Sequence, residues 1–133
     1  MVEDMDTATR ESLRTSLLAR RDEVQSDLDR LDSELQQLGA QQEQNLGGLG
    51  NHLAEDGSNV MEQERILAVS GDLRDILAQV TEALDRLDTK EFGICQRCGK
   101  PINAERLEAF PYVRYDIECQ SQIEREQAVR AGR

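Results

Sequence analysis

Three cysteines and one aspartate are the residues whose types and spacing point to chemistry. Cys95 and Cys98 are separated by two residues, 17 residues intervene before Asp116, and Cys119 follows at the same short interval, giving Cys-x2-Cys-x17-Asp-x2-Cys. Zinc ribbons set two such pairs across a loop of about 15–20 residues, because each turn presents two donors to one edge of a tetrahedron. Three corners are thiolates here. The fourth falls to Asp116, whose carboxylate is an accepted if harder zinc donor, to water, or to nothing. Asp116 has a second use: at the start of a helix an aspartate caps free N–H groups and favours the positive end of the dipole, with or without metal. A Cys-x2-Cys pair also permits a redox dithiol, but that chemistry needs a strand–helix context this pattern lacks. The odd cysteine count and the acidic start MVEDMDTATR, unlike a secretory signal, argue against a disulfide framework and for a soluble, cytoplasmic protein.

These side chains need a scaffold. Phe92-Gly-Ile-Cys-Gln-Arg-Cys-Gly-Lys-Pro-Ile is turn sequence: its glycines permit left-handed backbone and Pro101 forbids a continuing helix, so Cys95 and Cys98 sit on a knuckle. Asn103 is placed to cap a short helix through Glu108, halted before Pro111, and a last helix is predicted from about Asp116 to Val129. A module of about 40 residues cannot supply a sufficient core by itself, so a structural zinc would stand in for one.

Upstream the chain is aliphatic and periodic. Leu13, Leu17, Val24, Leu28, Leu31, Leu35 and Leu38 step by 4, 7, 4, 3, 4 and 3 in a segment free of Pro and Gly, a heptad stripe. Residues 39–58 break it with five of the nine glycines. The stripe resumes with Ile66, Val69, Leu73, Ile76, Val80, Ala83 and Leu87, widened by Leu77 and Leu84, with Gly71 as a weak point. Two stripes of similar length about a glycine-rich bend predict an all-α protein. It comprises a long antiparallel coiled-coil hairpin over residues 1–89, with its tip loop at about 39–58, and a zinc-finger-like module with a terminal helix over 90–133. A parallel dimer would satisfy the same stripes.

Charge narrows the partners. The net charge is −11, from 27 acids against 16 bases; residues 1–89 carry −12 and residues 90–133 carry +1. Such a surface disfavours nucleic acid and anionic lipid. No stretch approaches the roughly 18 apolar residues of a membrane span. No nucleophile–base pair or phosphate loop is present in the sequence, and the single histidine, His52, falls in the bend, so no catalytic residue is assigned. Arg97, Lys100, Arg106 and Arg114 could make a small basic patch on the module, but Glu105 and Glu108 dilute it, and these side chains are expected to contact solvent or the rim of a partner.

Phe92-Gly-x-Cys-x2-Cys-Gly-x2-Ile, then Arg106-Leu107-x-Ala109-x-Pro111, then Cys119-Gln120, resemble the signature of the DksA/TraR zinc-finger family. Asn51-His52-Leu53-Ala54 and Glu62-Gln63-Glu64 resemble that family's coiled coil, so the likeness covers most of the chain. The resemblance implies a non-catalytic transcription regulator. Such a protein binds RNA polymerase through its secondary channel, directs its tip at the active centre, and needs no sequence-specific DNA contact. It also implies departures. The third of four zinc cysteines falls on Asp116. The acidic tip pattern Asp-x2-Asp-x-Ala falls on His52, Glu55 and Gly57, with Asp56 adjacent, making His52, Glu55 and Asp56 the tip residues. The basic positions that bind the alarmone ppGpp fall on Gln79, Phe110 and Gln120, so no such site is expected. The competing expectation is a structural coiled-coil adaptor or dimerisation module stabilised by a Cys/zinc knuckle; a monomer that binds polymerase favours the first.

Overall fold

The computed structural model describes residues 7–45 and 52–132, with side chains described for 7–40 and 57–132. Four helices follow in order: α1 Thr7–Asn45, α2 His52–Arg86, α3 Ala104–Ala109 and α4 Ile117–Ala131. No strand occurs among the described residues; Ile94 and Pro101 form an isolated antiparallel bridge. No described helix is long and apolar enough to cross a membrane. The fold is all-α, a helical hairpin followed by a small cysteine-bearing module and a terminal helix.

The bend is shorter than the glycines suggest. Gly39 lies inside α1 and Gly57 inside α2, so the tip expected over 39–58 contracts to the span between Asn45 and His52, where Gly47, Gly48 and Gly50 fall outside the described residues. A helical glycine costs about 1 kcal/mol relative to alanine, and neighbouring helix formers such as Gln and Glu carry the ladder through it. Composition marked the neighbourhood of the turn but not its edges.

The chain divides into two compact units: one takes the chain up to Arg21 and from Ala78 onward, the other is Asp22–Leu77. In Asp22–Leu77 the seam buries Val24, Leu28 and Leu31 of α1 and Ile66 and Ser70 of α2. Val69, expected in this seam, is 37% exposed, while Ser70 is 4% exposed. Both lie at helical spacing from Ile66 and Leu73, and the inward position is taken by the smaller residue. Arg65 senses the negative charge of Glu34 across the pair.

In the other unit Leu17 of α1 is buried, as are Val80 and Ala83 of α2 and Leu87 and Phe92 beyond it. Arg14 clasps Asp88 with one nitrogen 2.8 Å from each carboxylate oxygen. Arg14 near the start of α1 thus meets Asp88 just past the end of α2, and Glu34 late in α1 lies near Arg65 early in α2, the order of antiparallel pairing within one chain. The end of the hairpin is therefore built into the same unit as the cysteine module.

Candidate metal centre

The knuckle is closed by its backbone. Gly93 and Gly99 take positive φ values of 79° and 75°, a conformation that strains any side-chain-bearing residue. Between them the Cys95 N–H donates to Lys100 O at 2.8 Å, the Gly99 N–H to Cys95 O at 3.0 Å, and the Ile102 N–H to Gly93 O at 2.7 Å. These bonds fold residues 93–102 back on themselves and hold Cys95 buried and Cys98 exposed. The Gln96 N–H reaches Arg114 O at 2.9 Å, tying the knuckle to the segment before α4.

The second half arrives through α3 and α4. Asn103 caps α3, its Oδ1 accepting the Glu105 N–H at 2.8 Å, and Leu107 turns inward. Arg106 donates from Nε to Tyr115 O at 3.0 Å, fixing the strap that leads into α4. Asp116 is the N-cap of α4, and Oδ1 accepts the Cys119 N–H at 2.8 Å. Cys119, buried in the first turn of α4, packs with Cys95, Ile102 and Leu107 in one cluster lined by Val113 and Tyr115.

The ligand atoms of Cys95, Cys98, Asp116 and Cys119 all lie within 4.8 Å of one another. A tetrahedral zinc with thiolate bonds of about 2.3 Å has ligand-to-ligand edges of about 3.8 Å, so the donor set is sized for that ion. The electrostatics agree. Four potential anions crowd one point, and the Cys98 Sγ lies 3.1 Å from Asp116 Oδ2, a proton standing between two groups that would otherwise both be negative. Burial pushes the Cys119 thiol up to about 12, with Asp116 and the other two thiols acting in the same sense. Burial also raises Cys95, but hydrogen bonds from the backbone of Cys98, Asp116 and Arg97 outweigh it and bring it down to about 7. Asp116 is held below the usual carboxylate range, first by the Cys119 N–H. A dication would take the place of the shared protons.

The basic residues read from sequence as a surface patch are mostly braces. Arg97 pairs with Glu126 of α4 at 2.7 Å. Arg114 makes two bonds to Glu82 of α2, at 2.7 and 2.8 Å, and Arg106 is committed to Tyr115. The sequence held no signal for these pairs, since Arg97 and Glu126 are 29 residues apart and Arg114 and Glu82 are 32 apart. The backbone of His52, Glu55 and Asp56 belongs to the first turns of α2, and their side chains lie outside the described residues.

A helical hairpin whose end is joined to a four-donor knuckle defines a class of small zinc-finger proteins. The description of the prokaryotic dksA/traR C4-type zinc finger matches residues 90–125, which span all four donors. In that segment the chain is similar to the DksA/TraR zinc-finger family, and the match together with the four gathered donors supports a structural zinc. General stress protein 16O of Bacillus subtilis (strain 168) is 35% identical over 77 residues, covering 58% of this chain and 47% of that protein. The RNA polymerase-binding transcription factor DksA of Caulobacter vibrioides is 31% identical over 81 residues, covering 59% of this chain and 57% of that protein. These matches thus span about half the length of those relatives. The structure of transcription factor DksA2 from Pseudomonas aeruginosa superposes with a TM-score of 0.70 at 27% identity, over 94% of this chain and 90% of that one.

Proposed function

We propose that the protein is a non-catalytic transcription regulator that binds RNA polymerase. It enters the secondary channel as a monomer and directs the turn between α1 and α2, with His52, Glu55 and Asp56, toward the active centre. The observation that carries this reading is the likeness to DksA2 across nearly the whole chain. DksA of Caulobacter vibrioides and of Haemophilus influenzae, both named as RNA polymerase-binding transcription factors, add support. Acidic residues at the end of a long helical pair suit a contact near catalytic metal ions, which carry the largest positive charges in such a site.

In this reading Cys95, Cys98, Cys119 and Asp116 hold the zinc. The metal supplies no chemistry on a substrate; it fastens the knuckle to the first turn of α4 and so holds the module together. The experiment is binding of the full chain to core RNA polymerase, with promoter transcription measured alongside. Glu55→Gln with Asp56→Asn is expected to bind like the unaltered chain and to lose the effect on transcription. Failure of the unaltered chain to bind would sink the reading.

A further inference from the structure

The charge of this protein is concentrated. Residues 22–77 hold 13 acids and 3 bases, a net of −10 out of the chain's −11. Yet α2 in this unit turns apolar side chains to solvent: Val60 is 44% exposed, Met61 72% and Leu67 53%. Helical spacing sets Val60 with Leu67 on a flank about 100° round the helix from the seam residues Ile66 and Ser70, and Met61 with Ala68 on the side opposite them. Gly71 continues the Val60–Leu67 row, and a Cβ added there would meet nothing within 4 Å, so the chain's own packing gives no reason for a residue that weakens the helix. Helix α1 exposes no large apolar side chain among its described residues. Among the described residues of this unit the exposed apolar side chains belong to α2.

Charge selects the occupant. A second copy of this unit would bring −10 against −10, and nucleic acid or an anionic bilayer would be repelled in the same way. A protein surface with an apolar groove flanked by Lys and Arg is attracted by the field and covered by the side chains. We propose that the outward face of α2 around Val60, Met61, Leu67 and Gly71 is a docking surface for such a basic, apolar-grooved surface on RNA polymerase. This rests on the reading above and adds to it the face of the hairpin that makes the contact. Contact through a few side chains suits a transient complex.

The test is the affinity of the full chain for core RNA polymerase across a salt series. Val60→Gln with Leu67→Gln keeps good helix formers at exposed positions, so its melting temperature should match that of the unaltered chain, while its affinity falls at least about tenfold. Met61→Gln should weaken binding in the same direction, and Gln37→Ala on α1 should leave it unchanged. Affinity of the unaltered chain should decline as salt rises. Unchanged affinity of the double variant and of Met61→Gln would overturn the docking face while leaving the polymerase reading intact. No binding by the unaltered chain would instead remove that reading and the docking face with it.

Discussion

Oδ2 of Asp116 stands 3.1 Å from Sγ of Cys98 while Oδ1 of the same carboxylate accepts the Cys119 N–H at 2.8 Å. The two uses that spacing suggested for Asp116, helix cap and metal corner, are thus divided between its two oxygens rather than in competition. Capping aims the carboxylate: a side chain fixed through one oxygen presents the other to the thiols at no further conformational cost.

This division separates two effects by mutation. Asp116→Ser keeps a capping oxygen and removes the second donor, so α4 should retain its first turn. Zinc affinity should fall by more than the 10–100-fold typical of outer-shell changes. Asp116→Cys should do the reverse, completing four thiolates and tightening zinc while weakening the cap. Competition against a chromophoric chelator, with helix content followed in parallel, checks both. Equal zinc affinity in Asp116→Ser and the unaltered chain would leave the fourth corner to water.

Removal of zinc should loosen the module and spare most of the helix. α1 and α2 hold 39 and 35 residues against 6 and 15 in α3 and α4. Chelation, or Cys119→Ser, should therefore erase amide protection in residues 90–125 while costing only a minor part of the far-ultraviolet helix signal. Hydrogen exchange resolved by segment is the measurement. Uniform loss of protection through α1 and α2 would mean the metal supports the hairpin as well.

Much of this arrangement was legible beforehand, and the failures have physical causes. Seam positions such as Leu17, Leu28, Ile66 and Val80 follow from periodicity, because a narrow apolar stripe turns the same side chains inward whichever helix it packs against. The grouping of the three cysteines follows from spacing, because a knuckle admits few intervals, whereas spacing left the fourth corner open between Asp116, water and nothing. The edges of the bend did not follow, since Gly39 and Gly57 cost the helix less than its ladder returns. Nor did Ser70 for Val69, a choice made by local packing, or the pairing of Arg97 with Glu126, a contact no interval encodes.

The bond between Arg114 and Glu82 links the segment before α4 to α2, and it should be visible in acid. The hydrogen bonds from Arg114, and then the charges of Arg114 and Arg86, hold the Glu82 carboxyl below its ordinary value of 4.5. A lowered folded-state value means the contribution is complete above the ordinary value and is lost as pH falls through the depressed one. The side chains are 22% and 43% exposed, so solvent screening limits the effect to a few tenths up to about 1 kcal/mol. Glu82→Gln should be less stable than the unaltered chain by that amount at neutral pH, with the gap closing on acidification. Denaturant melts at stepped pH values check it, and a gap that persists in strong acid would assign the loss to packing.

Gly39 offers the opposite kind of change. It lies within α1, its φ is not positive, and a Cβ built there has nothing within 4 Å. Alanine at such a position removes backbone freedom from the unfolded chain without straining the folded one. Gly39→Ala should therefore raise stability by about 0.5–1 kcal/mol. Because Gly39 is on α1, away from the exposed row on α2, polymerase affinity should be unchanged. Thermal melting with a binding titration measures both, and a destabilised Gly39→Ala would show that the helix does not run through this position in solution.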